Sequence, residues 1–264
     1  MNNIDYLVDN ELIVSVIVTT YNRSKLLLET LESILCQTFN SFELIVVDNM
    51  SKDDTEELVN GIQDSRIRYF KNPNNGIIAV NRNYGIQQAK GRYIAFCDDD
   101  DLWFPDKLNL QVKLLEASPS IALCYTNAMS FVGNKVISNK MVRRVVCKYH
   151  FLQLLRGNFI PNSSVLIRRD VFLKLGRLNE NETLREDYEM WLRVSNYYSI
   201  IGIDESLISY RVHGSNVGSN RASETLRAIR TVKSIIKLYN IPRLIAFPNI
   251  LFQYFKYFKY KIMI

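Results

Sequence analysis

Apolar residues along this chain come in short continuous runs, separated by longer segments in which apolar and polar residues repeat with helical spacing. There are four such runs, and the first is rich in β-branched residues. Each run is too short to cross a membrane, which favours buried strands. Strands are predicted at 12–20, 42–48, 67–70 and 93–97, and helices at 25–37, 51–63, 77–90 and from about residue 105. This alternation predicts an α/β domain with an open, mainly parallel sheet and right-handed crossovers.

Charge is distributed unevenly over the 264 residues, although the overall composition, 47% hydrophobic and 23% charged, is that of a globular protein. Residues 226–264 contain eight basic residues and no acidic residue, so the whole excess of the +6 net charge lies in this tail. A nucleic-acid-binding domain would carry its basic patch on the domain itself. We therefore expect no nucleic-acid partner.

The four cysteines, Cys36, Cys97, Cys124 and Cys147, are scattered and form no Cys-x-x-Cys pair. This spacing predicts reduced, structural thiols and a cytoplasmic protein. Residues 1–11 are polar and acidic, which predicts that no signal peptide is present.

Four adjacent carboxylates, Asp98–Asp101, follow the predicted strand 93–97 directly. In a low dielectric they would repel one another unless a divalent cation or a set of Lys and Arg side chains neutralised them. Mg²⁺ and Mn²⁺ prefer carboxylate and phosphate oxygens, and open α/β sheets bind ligands at the carboxyl ends of their strands. The alternative is a solvated acidic loop before the next helix, and the run taken alone favours that alternative.

No glycine-rich phosphate loop follows the first strand, because 19–24 contains no glycine and a Walker motif is also absent. A nucleotide's phosphates would then be held by a metal ion rather than by a backbone cradle. Two other classes of protein remain open besides a metal-dependent enzyme that acts on a nucleotide-linked substrate. A nucleotidyltransferase would also use paired aspartates and a metal, but it requires a basic, glycine-containing signature that is missing here. A non-catalytic subunit that binds nucleotide-sugars or glycans is the other.

Several motifs together resemble family 2 of the inverting glycosyltransferases, of the type that builds bacterial surface polysaccharides. The resemblance covers residues 13 to about 218. Its motifs are Val-Thr-Thr-Tyr-Asn-Arg at 18–23, Val-Asp-Asn-Met-Ser at 47–51, Asn-Arg-Asn-Tyr-Gly at 81–85, the aspartates 98–101, Arg-Glu-Asp-Tyr-Glu at 185–189 and Tyr-Arg-Val-His at 210–213. The resemblance implies a GT-A fold, with a nucleotide-sugar-binding half at 12–108, an acceptor-binding half at 109–225 and a helical tail at 226–264.

The resemblance also implies roles for individual residues. Asp187 would be the catalytic base, with Glu186 as a helper or alternate, and Asp48 would accept the uracil N3–H of the donor. Asp99 and Asp101 could instead orient the loop or cap the helix near residue 105, and Lys107 is expected to pair with the acidic run. Donor-binding residues would be Thr19, Tyr21, Asp48, Arg82, Asp98 and Asp99, and ligands of Mn²⁺ or Mg²⁺ would be Asp100 and His213.

The activity expected on this basis is metal-dependent, inverting transfer of a sugar from a UDP-sugar to a lipid-linked saccharide in O-antigen or capsule synthesis.

The tail predicts an amphipathic helix at 226–239, with Pro242 and Pro248 breaking it. Residues 249–264 are aromatic and basic, which favours a helix lying peripherally in the anionic inner face of the cell membrane. The alternative is a helix packed on the catalytic domain or on a second subunit of a homo-oligomer.

Overall fold

The computed structural model describes residues 12–133, 135–140, 150–213 and 221–262. The strands are β1 (Val14–Thr20), β2 (Phe42–Asp48), β3 (Ile67–Lys71), β4 (Tyr93–Asp98), β5 (Leu102–Trp103), β6 (Ile121–Val132), β7 (Lys135–Ser138), β8 (Leu166–Arg168) and β9 (Ser199–Arg211). The helices are α1 (Ser24–Leu35), α2 (Thr55–Gly61), α3 (Ile78–Gln88), α4 (Lys107–Ala117), α5 (His150–Leu154), α6 (Asp170–Leu175), α7 (Glu186–Tyr197), α8 (Arg221–Leu238) and α9 (Arg243–Ile262). The first four predicted strands and the predicted helices between them are confirmed.

One sheet runs through the molecule in the order β3-β2-β1-β4-β8-β6-β9-β5, and β7 pairs with β6. Strands β1 to β4 are mutually parallel, as predicted. The order then becomes mixed, because β8 is antiparallel to both β4 and β6, whereas β9 is parallel to β6. The parallel half therefore ends where the second half of the chain joins the sheet.

Both faces of the sheet are covered, which explains the continuous apolar runs. Alternate residues of β1 enter different cores: Val16 and Val18 pack with α1 and α4, whereas Ile17 packs with α3 and α7. Gly85 in α3 permits this close approach, since a Cβ there would lie 2.5 Å from Ile17 Cγ2. Helix α3 is thereby held against the sheet next to its carboxyl edge.

The carboxyl ends of the central strands meet at this edge. In the parallel register Thr20 lies opposite Asp48, and Thr19 lies opposite Asp98. Three of the sequence motifs therefore converge on one side of the sheet, as expected for an open α/β protein.

The tail is helical, but one prediction about it is wrong. Pro242 separates α8 from α9 as predicted, whereas Pro248 lies inside α9 and does not end it. Proline removes the bond to the carbonyl of Leu244, four residues back. Because Leu244 lies in the highly exposed first turn, the helix loses little there.

Within the described residues, no helix combines the length and the apolar character that crossing a membrane requires. Cys36, Cys97 and Cys124 are free thiols, as predicted. Cys147 and the polar segment 1–11 lie outside the described residues.

Candidate active site

A cleft of about 720 Å³ lies at the carboxyl edge of the sheet. It is bounded by the ends of β1 and β4, the start of α3, the segment 158–162, the start of α7 and the first turns of α8. Predicted site residues that line it are Thr19, Arg82, Asp98, Asp99, Asp100, Glu186 and Asp187. The structure thus brings the acidic run and the Glu-Asp pair to one cleft, although they are far apart in sequence.

Asp98 is the first carboxylate of the run and faces the cleft. Its Oδ1 accepts hydrogen bonds from Arg82 Nη2 at 2.7 Å and from Asn162 Nδ2 at 2.9 Å. Its backbone N–H donates to Ser163 Oγ at 3.1 Å. Burial raises the pKa of Asp98, and the adjacent Arg82 offsets only part of that rise.

Asp99 is held by two residues from the end of β1 and the turn after it. Thr20 Oγ1 donates to one oxygen at 2.8 Å, and Arg23 Nη1 donates to the other at 2.9 Å. Burial raises the pKa of Asp99 to about 6 despite the neighbouring guanidinium. Asp99 therefore has defined protein partners in addition to its place on the cleft wall.

Asp100 meets His213, which comes directly after β9. His213 Nε2 lies 2.9 Å from Asp100 Oδ2, and Arg23 Nη1 approaches the same oxygen at 3.0 Å. Arg211 donates through Nε to the Asp100 carbonyl at 2.9 Å. The two residues predicted to bind a metal are therefore neighbours. Across the described ranges, however, His, Cys and carboxylate side chains form no group of three or more that could hold a metal ion.

Asp101 is not among the residues that line the cleft and is only 1% exposed. It accepts hydrogen bonds from Ser163 Oγ at 2.6 Å and from the backbone N–H of Arg211 at 3.1 Å, and its carbonyl accepts one from Thr30 Oγ1 at 2.9 Å. Burial raises the pKa of Asp101 well above its usual range. These contacts fit the expected role in orienting the loop, not the alternative role of a helix cap, because α4 starts six residues later.

Arg82 connects the two acidic groups of the cleft. Its Nη2 contacts Asp98, and its Nη1 donates to Glu186 Oε1 at 2.6 Å, with the side chain almost fully buried. Burial alone would lower the pKa of Arg82, but the charges of Asp98 and Glu186 outweigh it and raise the pKa. Glu186 is also 3.8 Å from Arg227 on α8, and burial raises its pKa.

Asp187 lies in the first turn of α7 and lines the same cleft. Its Oδ2 accepts a hydrogen bond from Asn158 Nδ2 at 3.0 Å, and its Oδ1 is 2.6 Å from the backbone nitrogen of Tyr188. Tyr188 and Trp191 are fully buried, so packing fixes the start of α7. A carboxylate in the first turn of a helix is also stabilised by the helix dipole.

Asp48 and Tyr21 lie outside the cleft lining. Asp48 is fully buried, and its oxygens accept hydrogen bonds from Tyr69 Oη at 2.6 Å and from the Ser51 backbone and hydroxyl at 3.0 and 2.5 Å. Tyr21 is half exposed. The other predicted donor-binding residues, Thr19, Arg82, Asp98 and Asp99, all line the cleft.

Lys107 does not pair with the acidic run, so that prediction is wrong. It is fully buried, its Nζ donates to Gln111 Oε1 at 2.8 Å, and it lies 3.8 Å from the centre of the Trp103 ring. Burial lowers the pKa of Lys107 to about 7. The partners of the run are instead Arg23, Arg82 and Arg211, together with the imidazole of His213.

Two of these partners could have been found from the sequence. Arg23 ends the polar segment after the first strand, which places it at the carboxyl edge of the sheet. Arg211 lies in the Tyr-Arg-Val-His motif that supplies His213. Asn158 gave no signal, since it belongs to no motif and reaches Asp187 only through the tertiary fold.

The comparison with known families supports this geometry. The profile described as Glycosyl transferase family 2 matches residues 15–176. The chain belongs to glycosyl transferase family 2, and the resemblance seen in the sequence is confirmed.

Curated relatives extend the similarity beyond that range. The chain is 32% identical to the Escherichia coli UDP-Glc:alpha-D-GlcNAc-diphosphoundecaprenol beta-1,3-glucosyltransferase WfaP, over 84% of this chain and 86% of that protein. An aligned stretch of that length must include Glu186 and Asp187. The chain is also 34% identical to an uncharacterized glycosyltransferase of Rickettsia felis. That match covers 76% of this chain but only 33% of the Rickettsia protein.

Solved structures confirm the GT-A fold. Staphylococcus aureus TarS 1-349 in complex with UDP-GlcNAc aligns with a TM-score of 0.75 and 19% identity, over 94% of this chain and 73% of that one. The Pyrobaculum calidifontis mannosyltransferase PcManGT in complex with GDP-Man and Mn2+ aligns with a TM-score of 0.69 and 20% identity, over 92% and 69%.

Proposed function

We propose that this glycosyltransferase moves a sugar from a UDP-sugar to a hydroxyl group of a lipid-linked saccharide during surface polysaccharide synthesis, with inversion at the anomeric carbon. The observation that carries the proposal is that one cleft holds both the paired aspartates of the run and Asp187. The names of WfaP and of a second E. coli relative, WfgD, 30% identical over 83% of this chain, make UDP-glucose the first donor to test.

Asp187 would act as the general base. Its carboxylate takes the proton of the acceptor hydroxyl while that oxygen attacks the anomeric carbon from the side opposite the diphosphate. The new bond between the acceptor oxygen and the sugar forms as the bond to the diphosphate oxygen breaks, and the proton remains on Asp187. One such displacement inverts the configuration. Asn158 and the packing of α7 keep the carboxylate in place.

The residues near the run fit a divalent cation that is bound together with its substrate. Asp100 and His213 supply a carboxylate and an imidazole side by side, and Mg²⁺ or Mn²⁺ in nucleotide sites takes one or two protein ligands and completes its shell with phosphates and water. Such an ion would neutralise the charge that develops on the leaving diphosphate. Arg23 would have to give up part of its contact with Asp100.

The remaining donor contacts are assigned by position. Asp98 and Arg82 face the cleft and would meet the ribose and a phosphate, and Thr19 would meet the base or ribose. Asp48 stays proposed as the acceptor of the uracil N3–H. Because Ser51 and Tyr69 cover it, direct contact requires one of those side chains to move.

A thermal-shift panel of nucleotide-sugars, with and without Mn²⁺, tests the donor. We expect stabilisation by one UDP-sugar that grows when Mn²⁺ is added, because a ligand that binds only the folded state raises the free energy of unfolding. Transfer to a diphosphate-lipid-linked GlcNAc acceptor tests the reaction. Transfer that survives Asp187→Ala combined with Asp100→Ala would overturn the proposed site.

A further inference from the structure

Helix α9 packs on the protein through its polar side. The residues it buries are Ala246, Asn249 and Gln253, two of them amides. Asn249 Oδ1 accepts a hydrogen bond from Arg156 Nε at 3.3 Å. Ile250, which is partly buried, also packs on the core, but the most exposed large apolar side chains of α9 lie elsewhere on the helix. A helix at the surface of a globular protein normally buries its apolar side.

The opposite side of α9 is apolar and exposed. Six large side chains on it are between 54% and 88% exposed, and at 100° per residue they fall within about 80° of one another around the helix. We call this surface the outer face of α9. Its residues are Leu244, Phe247, Leu251, Phe255, Phe258 and Ile262.

Cations border the outer face on both sides. Arg243 and Lys261 lie along one border and Lys259 along the other, and 226–264 contains no acidic residue. Long basic side chains beside an apolar helix face extend to lipid phosphates while their stems stay on apolar surface. Basic residues near an anionic leaflet each add attraction.

We propose that the outer face of α9 lies in the interface of a bilayer that contains anionic phospholipid. A second copy of the chain fits this surface less well. In a symmetric pair the basic borders would face one another, and one helix 20 residues long offers less area than a stable dimer interface requires.

The inner side of α9 contacts a segment that leads to the catalytic groups. Lys256 Nζ, on the inner side of α9, donates to the carbonyl of Arg156 at 3.3 Å. Two residues further along is Asn158, whose amide holds Asp187. A docked α9 would therefore present the base side of the cleft near the membrane surface. This last point rests on the proposed lipid-linked acceptor, whereas docking itself does not.

Vesicle flotation of the full chain tests the docking. We expect the chain to float with vesicles of phosphatidylcholine and phosphatidylglycerol, less with phosphatidylcholine alone, and less at high NaCl concentration. Leu244→Asp combined with Phe255→Asp should weaken vesicle binding at least about tenfold, because two large apolar groups no longer leave water.

Leu173→Asp combined with Ile137→Asp is the matched control. Leu173 on α6 is 84% exposed and Ile137 on β7 is 56% exposed, and both are remote from α9 in sequence. This variant should float like the parent chain. Equal flotation of both variants would overturn the proposal. It would also be overturned if the parent chain formed a dimer that does not bind vesicles, and if light scattering showed that only the α9 variant loses this dimer. Because flotation involves no catalysis, its outcome is independent of the proposed reaction.

Discussion

The two acidic groups of the cleft differ in what holds them. Asp98, Asp99 and Asp100 each contact a guanidinium or an imidazole from another segment of the chain. Asp187 contacts a neutral amide and a backbone N–H, and no described Lys or Arg side chain forms an ion pair with it. In the first group, Arg82 and Arg23 offset only part of the rise that burial causes in the pKa values of Asp98 and Asp99. The guanidinium charges of Arg82 and Arg185 also interact with Asp187, so the difference between the groups lies in the hydrogen bonds, which neutral groups make to Asp187.

The largest expected effect separates Asp187 from its neighbour. Asp187→Asn should lower the transfer rate by about 10²–10⁴-fold, which is the usual contribution of a general base. UDP binding, measured by calorimetry, should be nearly unchanged. Glu186→Gln should cost less, because Glu186 is already paired with Arg82. The reverse order of these two losses would assign the base to Glu186.

The second prediction concerns Arg82, the cation that lies between Asp98 and Glu186. Arg82→Met leaves Asp98 and Glu186 without their buried partner and should lower the free energy of unfolding by about 3–5 kcal/mol in urea titrations. Arg92→Met is the control, because the ion pair of Arg92 with Glu116 is largely exposed and should contribute less than about 1 kcal/mol. If both variants lost the same free energy of unfolding, burial would not make the Arg82 ion pairs more stabilising than an exposed ion pair.

A third prediction sharpens the difference within the run. Asp100→Asn should abolish transfer and the Mn²⁺-dependent part of the thermal shift. Asp101→Asn should instead cost about 1–3 kcal/mol of stability, because it disturbs buried hydrogen bonds with Ser163 and the Arg211 backbone, and should leave most of the rate. The opposite pattern would move the metal site along the run.

The smallest effect concerns pH. The folded-state pKa of Asp99 is about 6, above its ordinary value of 3.8, so the folded protein binds this proton more tightly than the unfolded chain does. The contribution of Asp99 to stability is therefore greatest below pH about 4 and declines as the pH rises to about 6. In the Asp99→Asn variant, the free energy of unfolding, measured by urea titration between about pH 4 and 6, should depend less on pH than in the parent chain. An unchanged pH dependence would contradict the burial of this charge.

The parallel half of the fold was predictable because its signals are local. Three of the four strands between 12 and 98 are mainly apolar runs, the short third strand being interrupted by Arg68, and the carboxyl edge follows from the alternation of strands and helices. The acidic run was correctly located, but its division into residues of different roles came from the family resemblance and not from the run itself. Its division depends on Arg211 and His213, which reach it across more than a hundred residues.

Lys107 and Pro248 show why other predictions failed. Lys107 is close to the run in sequence, but the orientation of α4 turns its side chain into the core against Trp103. Pro248 carries a strong local signal for a helix end, but the carbonyl that loses its hydrogen bond lies in the exposed first turn of α9, so the helix continues. In the first case a neighbour in space decided the outcome, and in the second the position of the proline within the helix did.

The position of β9 also sets the order in which the cleft can assemble. Strand β9 is parallel to β6 and ends at Arg211, so the contacts of Asp100 and Asp101 with 211 and 213 form only after most of the domain has been synthesised. Contacts between residues so distant in sequence form late and slowly. A nascent chain that stops before β9 would carry Arg23 as a partner for Asp100 but would lack the contacts that 211 and 213 make with Asp100 and Asp101. The cleft should therefore mature as one of the last steps of folding.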